Sequence, residues 1–384
     1  MNTKTIATIL LGTCIVFSQK NYLKAQNDSP PVIKLKELYS SDEELRRTVE
    51  AMFENLQDLP DGSANPWRNK DIDDLYEFVN EWFYFLPNAH NALERAIEFE
   101  MLCYRNPAGM RFVLEEPGRS WTLYFAEERG KYMDSPASAK AIQEWLADPS
   151  LNNEDFVLPD HGFKSFNEFF TRELKPGARP VDAVTDNSIL VSPADGIINM
   201  INNDLKLNIP IPAKGRMTLS LAALLDTSEY CEKFIGGTAL AVVLMPHDCH
   251  HYHAPISGTI VESKEDVGDR LFGVPDVLDL INEGNPGYNL DFSIIDNFRH
   301  GYFIIQTDDY GYVAMIPIGL GTIGSVVFEE KFKNLQGDTK RKVYKGEKLG
   351  HFAYGGSTVL LLFEKGRLNS LTVRQGQQIG KMRK

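Results

Sequence analysis

The chain has 384 residues, 43% hydrophobic and 11% aromatic, with a net charge of -13. That supply of apolar residues builds a large core and excludes a disordered or collagen-like chain, while the length exceeds the usual ~150 residues of one domain. The acid excess works against attraction to nucleic acid or anionic lipid through net charge, so no nucleic-acid partner is expected.

In chain order, Lys4 precedes an apolar run from Ile6 to Phe17. The run falls short of the ~20 residues of a membrane-spanning helix and has the length of a secretory leader. Residues 1–25 therefore read as a signal peptide or a membrane-targeting segment, and the protein as exported or membrane-associated, on the periplasmic side in a bacterium. A retained anchor lying in a membrane surface is the alternative. Cys14, Cys103, Cys231 and Cys249 form no CxxC pair and are too scattered for a disulfide framework. Loss of Cys14 with the leader leaves an odd number, hence at least one free or intermolecular thiol.

Helical spacing dominates residues 35–155. Ser41 with Glu44 reads as a capping box opening a helix over Asp42–Leu56, and apolar residues recur through Ile72–Leu86, Ala89–Tyr104, Trp121–Tyr132 and Pro136–Leu146. The aromatic stripe of Trp67, Trp82, Phe83, Tyr84, Phe85, Trp121 and Trp145 is explained chiefly by helices packing on one another.

Beyond residue 188 the pattern changes to short β-rich runs divided by Gly, Pro and Asp: Ile189–Val191, Ala239–Met245, Tyr302–Thr307, Tyr312–Ile318, Gly324–Phe328 and Thr358–Phe363. Two echoes occur there. Pro193-Ala194-Asp195-Gly196-Ile197-Ile198 resembles Pro255-Ile256-Ser257-Gly258-Thr259-Ile260, and Val343-x-x-Gly346-x-x-Leu349-Gly350 resembles Val373-x-x-Gly376-x-x-Ile379-Gly380. The expected fold class is α+β, a helical N-terminal layer followed by a duplicated, β-sandwich-like catalytic domain over 160–384.

Four of the eight histidines fall in His247-Asp248-Cys249-His250-His251-Tyr252-His253, directly after the apolar run Ala239–Met245. Such a group can move protons near neutral pH. His251-x-His253 also offers a metal-ligand pair, but none of His90, His161, His247, His300 and His351 begins the HxxxD that would complete a zinc set, so no metal is expected. Gly355-Gly356-Ser357-Thr358 strips side chains from the backbone ahead of a hydroxyl, which lets that hydroxyl approach the preceding carbonyl. Ser192-Pro193-Ala194-Asp195-Gly196 places one carboxylate in a turn.

Taken with Phe166-Asn167-Glu168-Phe169-Phe170-Thr171-Arg172-Glu173-Leu174-Lys175-Pro176-Gly177-Ala178-Arg179-Pro180, these segments resemble, in order, the phosphatidylserine decarboxylase family of self-processing, pyruvoyl-dependent enzymes. The resemblance implies that the Ser357 hydroxyl attacks the Gly356 carbonyl, that elimination cuts the chain between Gly356 and Ser357, and that residue 357 becomes a pyruvoyl group. It implies that Asp195 and His253 assist the cut as carboxylate and imidazole, and that His250 serves decarboxylation, with proton return to the carbanion as the hypothesised role. It further implies that Gly324 and Ser325 line the site, that the short chain 357–384 stays bound to the long one, and that no separate cofactor is needed beyond the pyruvoyl electron sink.

Phosphatidylserine is the favoured substrate. A free aromatic amino acid such as tryptophan is the alternative, because Pro107-Ala108-Gly109, Met133–Ser138 and Gly162–Phe166 resemble an extension on relatives that act on such substrates. A silent, uncut binding or scaffold protein is the reading of another class. Membrane association and a homo-oligomer are both compatible with the sequence.

Overall fold

The computed structural model describes residues 28–88, 91–207, 220–273, 297–320 and 326–380. The expected leader, Cys14, Gly324 and Ser325 lie outside the described residues.

Helices begin earlier than the apolar pattern indicates. Helix α1 (Pro30–Ser41) starts with prolines, which suit a first turn whose N–H groups have no partner within the helix. Helix α2 (Glu43–Met52) is capped by Asp42 and not by Ser41: the Asp42 carboxylate accepts from the Leu45 N–H at 2.9 Å. Ser41 closes α1 instead, its hydroxyl donating to the Glu37 carbonyl at 2.8 Å. Asp42 is extended and breaks the run, and a carboxylate there meets the positive end of the helix.

Helix α3 (Ile72–Tyr84) opens on a reciprocal box between Asp71 and Asp74. Next come α4 (Glu94–Cys103), which starts later than the expected Ala89, α5 (Pro107–Leu114) and α6 (Gly118–Met133). The expected helix over Pro136–Leu146 is a 3-10 turn followed by α7 (Ile142–Leu146), and α8 (Phe166–Phe170) is capped by Ser165. Trp67, Trp82, Phe99, Trp121 and Phe125 interlock in the helical core, with Trp82 and Phe125 centroids 4.5 Å apart. Tyr84 is exposed. The stripe is therefore core at most of its positions.

The later part holds β1 (Ile197–Asn203), a short helix α9 (Leu221–Leu224), β2 (Thr238–Leu244), β3 (His251–His253), β4 (Gly258–Val267) and β5 (His300–Gln306). These are followed by β6 (Tyr312–Leu320), β7 (Val326–Phe328), β8 (Arg341–Val343), β9 (Lys348–Phe352) and β10 (Gly356–Phe363). The expected strand at Ile189–Val191 does not form. Val191 donates one backbone bond, to the Pro255 carbonyl at 3.1 Å, and strand pairing begins only after the Asp195-Gly196 turn.

Seven strands form one antiparallel sheet in the order β1-β2-β10-β6-β5-β4-β8, and β3-β9-β7 form a second. Period-2 alternation gives the large sheet two apolar faces. On one, Val359, Leu361, Met315 and Phe303 meet Tyr252, Phe328 and Phe352 from the small sheet. On the other, Leu360, Leu362, Ile316 and Ile304 pack under Leu221, Leu224 and Phe234. Gly196 and Gly258, matched in the first echo, lie close against a neighbouring strand: a Cβ at either would stand 2.4 Å from a carbonyl, that of Val243 or of Gln306. Cys103, Cys231 and Cys249 are all free and buried. The structure is α+β, with helices in the N-terminal part and antiparallel sheet in the C-terminal part.

Candidate active site

Strand β10 is an apolar run threaded through the middle of the large sheet, and Ser357 stands at its leading end, paired with Leu244 on β2 and Gly319 on β6. Gly355 reaches φ +152°, a conformation open to glycine and costly for other residues, so the chain turns sharply just before the serine. Ser357 is 1% exposed. Its Oγ, the Oγ1 of Thr358 and the Nε2 of His250 are buried without a hydrogen-bond partner among the described residues. Buried polar atoms are rarely left so, because each costs about 1–3 kcal/mol.

His250 is fully buried between the end of β2 and β3. Its Nδ1 sits 2.9 Å from the Asp248 carbonyl, which only accepts, so Nδ1 carries the proton and Nε2 the lone pair. The ring lies 3.9 Å from that of Phe170, and the Phe352 N–H donates to the His250 carbonyl at 2.9 Å. Burial pushes the ring down to about 3, so it is neutral at physiological pH. Tyr354 packs on the same Phe170 ring, which sets the segment leading into Gly355-Gly356-Ser357 beside His250.

His251, Tyr252 and His253 are themselves a strand and not a loop beyond one. His253 pairs with Lys348, and burial, then the Lys348 charge, lowers its pKa. Its backbone N–H donates to the Pro193 carbonyl at 2.8 Å, placing it against the loop that carries Asp195. That loop runs into β1, and Ile197, Val243 and Thr358 lie in line across β1, β2 and β10. His253, Asp195 and Ser357 are thus held at one end of the sheet.

No hydrogen bond joins Asp195 to His253 among the described residues. The carboxylate is instead gripped by Arg179, whose Nε stands 3.1 and 3.2 Å from its two oxygens and whose Nη2 stands 3.0 Å from one of them. Arg172 is buried with its guanidinium over the rings of Phe156, at 4.0 Å, and Phe169, at 4.8 Å. Glu173 ion-pairs with Lys348 at 2.6 Å. Arg172, Glu173 and Arg179 all come from the Phe166–Pro180 motif, whose residue types alone do not indicate these pairings. Among the described residues no group of three His, Cys, Asp or Glu side chains is arranged to hold a metal, and no helix is long and apolar enough to cross a membrane.

The sequence model of the family described as phosphatidylserine decarboxylase matches residues 166–383, more than half of the chain. The chain is 33% identical over 266 residues to a phosphatidylserine decarboxylase proenzyme of Clostridium novyi, covering 69% of this chain and 82% of that one. It is 30% identical to the proenzyme of Fusobacterium nucleatum, over 64% of this chain and 75% of the relative. A third relative, phosphatidylserine decarboxylase proenzyme 2 of Oryza sativa, is 33% identical over 62% of this chain, but the match spans only 36% of that longer protein. The chain belongs to the phosphatidylserine decarboxylase family.

Proposed function

We propose that this protein is a carboxy-lyase that converts phosphatidylserine to phosphatidylethanolamine and CO₂ after cutting itself between Gly356 and Ser357. The observation that carries the reading is the Ser357 hydroxyl, buried directly after two glycines and unpartnered among the described residues, within a chain whose relatives are named proenzymes. The hydroxyl adds to the Gly356 carbonyl, and an ester replaces the peptide bond. Loss of the residue-357 α-proton then breaks the ester, leaving a carboxylate on Gly356 and dehydroalanine at 357, whose nitrogen water displaces as ammonia.

His253 is the base for the hydroxyl, since its lowered pKa keeps it neutral and proton-accepting near pH 7. Asp195 steadies the loop that His253 bonds, through Arg179. The pyruvoyl group so made supplies a ketone that draws off the electrons released with CO₂. Residue 357, Thr358 and His250 fit it: the Ser357 Oγ, the Thr358 Oγ1 and the His250 Nε2 have no hydrogen-bond partner among the described residues. The His250 Nε2, which carries the lone pair, takes the proton that the substrate ammonium gives up and passes it to the substrate α-carbon. The short chain 357–384 stays in place because its first seven residues are a central strand, bonded to β2 and β6 on either side.

The matched turns at Gly196 and Gly258, on either flank of the sheet, support descent of this domain from a duplicated half. The apolar run Ile6–Phe17 supports an exported or membrane-associated location. A second reading, decarboxylation of a free aromatic amino acid, is favoured by one feature: α6 walls a cleft beside Ala353 and Tyr354, which suits a small soluble substrate.

The test is direct. The purified protein should run as two chains, the short one blocked to N-terminal sequencing, while Ser357→Ala remains a single inactive chain. An uncut wild type would remove the mechanism and leave a scaffold protein. CO₂ release from phosphatidylserine compared with tryptophan decides between the substrates.

A further inference from the structure

Ser357 on β10 lies across from Gly319 on β6, and the Gly319 N–H donates to the carbonyl of Arg299, just before β5, at 2.9 Å. These three residues form a row across neighbouring strands. With strands about 4.8 Å apart, the backbone of Arg299 stands about 10 Å from that of Ser357. Alternation also fixes the face. Ser357 shares its side with Val359 and Leu361, which meet the small sheet. Gly301, two residues after Arg299, faces the Phe328 ring of that same sheet. Ser357 and Arg299 therefore lie on one face, and the position between them is a glycine with no side chain to fill the lane.

Arg299 also lines a cleft of about 610 Å³ between α6 and the sheet, with Glu127, Asn167, His351, Ala353 and Tyr354. Ala353 and Tyr354 lead straight into Gly355-Gly356-Ser357. Two carboxylates flank the guanidinium, Glu127 of α6 at 3.5 Å and Asp266 of β4 at 3.3 Å, and the side chain is 28% exposed. Both contacts are longer than the roughly 2.7–2.9 Å of a charge-assisted hydrogen bond, and neither is forked. The guanidinium is balanced in charge yet retains donors for a better-fitting anion.

We propose that Arg299 is the specificity-determining residue of this enzyme, receiving the anionic group that the substrate carries beyond its reacting amino acid; for the reading above, on which this rests, that group is the phosphodiester. Three bonds separate the phosphorus of phosphatidylserine from its α-carbon. A substrate amine held at residue 357 thus projects the phosphodiester along the glycine lane, and the extended arginine side chain spans the remainder. Glu127 competes with substrate for the same guanidinium. Tryptophan, with no second anion, gains nothing from Arg299.

The experiment compares wild type, Arg299→Gln and Glu127→Gln on a short-chain, water-soluble phosphatidylserine, reading KM, kcat and chain cutting, with inorganic phosphate as competitor. Arg299→Gln should still cut into two chains, and its KM should rise about tenfold to a hundredfold, the size of one lost charge-assisted contact, with kcat nearly kept. Inhibition by phosphate should fade in the same variant. Glu127→Gln should lower KM. A merely structural latch between α6 and the sheet would make both variants change KM in the same direction, and that result overturns the proposal, as does an unchanged KM in a fully cut Arg299→Gln. Should Arg299→Gln fail to accumulate, Glu127→Gln decides alone, an unchanged or raised KM being fatal. A wild type that stays uncut, or releases no CO₂ from phosphatidylserine, overturns the underlying reading instead.

Discussion

Under the proposed function His250 carries a proton, and burial prepares it for that. Its Nδ1 is committed to the Asp248 carbonyl, so the Nε2 lone pair remains for chemistry, and the ring resists protonation until about pH 3. His250→Asn keeps a donor for that carbonyl and removes the free nitrogen. The variant should cut itself normally on a gel yet release CO₂ about 10²- to 10⁴-fold more slowly, the usual worth of a positioned acid or base. Stability gives a second readout. Below pH 6.5 the unfolded chain protonates this ring while the folded chain does not, so the wild type loses about 1.4 kcal/mol per pH unit as the pH falls toward 3, and nothing above 6.5. Urea titration should find His250→Asn gaining about 2 kcal/mol on the wild type between pH 7 and pH 5. At this scale Ser357, His250, His253 and Asp195 are candidates that motifs in the sequence single out. The Arg179 grip on Asp195 could not, because the two are brought together by a loop and no periodic pattern encodes that contact.

Helix α4 carries a cost at its centre. Glu100 is buried there, and loss of hydration pushes its carboxyl up to about 8, with the Tyr104 hydroxyl pulling the other way. Between pH 4.5 and 8 the folded state keeps a proton that the unfolded state releases, so stability falls as the pH rises through that window, by about 1.4 kcal/mol per unit. Glu100→Gln preserves shape and hydrogen bonding without titrating. Denaturant unfolding should show it pulling ahead of the wild type by about 4 kcal/mol from pH 5 to pH 8, and parallel curves would mean that Glu100 reaches water. Sequence pattern located α3 and α6 to within a few residues because their apolar spacing is strong. It gave no range for α1, α5, β1, β3, β4, β8 and β9, which are short or carry polar residues, and the strands among them depend on partners distant in the chain. His251–His253 is the clearest instance, a strand only because β9 pairs with it.

For the molecule as a whole, the helical part and the β-rich part that follows residue 188 meet through their cores. Leu271 and Phe272, from the sheet part, are buried in the helical core, where Phe272 meets Phe99 edge to face at 5.3 Å. The Gly273 N–H donates to the Tyr104 hydroxyl at 3.0 Å. In return the Tyr354 hydroxyl, from the segment leading to Ser357, donates to the Ala92 carbonyl at 2.7 Å, and its ring joins Trp145 and Phe166 in a shared cluster. Contacts of that kind should make the two parts unfold together. All four tryptophans come from the helical part, three of them in its core and Trp145 in the shared cluster, so their fluorescence follows chiefly that part, while circular dichroism in the strand region follows the sheet. The two melting curves should coincide in the wild type. Phe272→Ala removes the ring that bridges the cores and should cost about 3–5 kcal/mol, with both signals moving down together. Separation of the curves, with fluorescence shifting while the sheet signal stays, would show that the helical layer is an appended body, and the cleft walled by α6 and lined by Arg299 would then lose its fixed geometry.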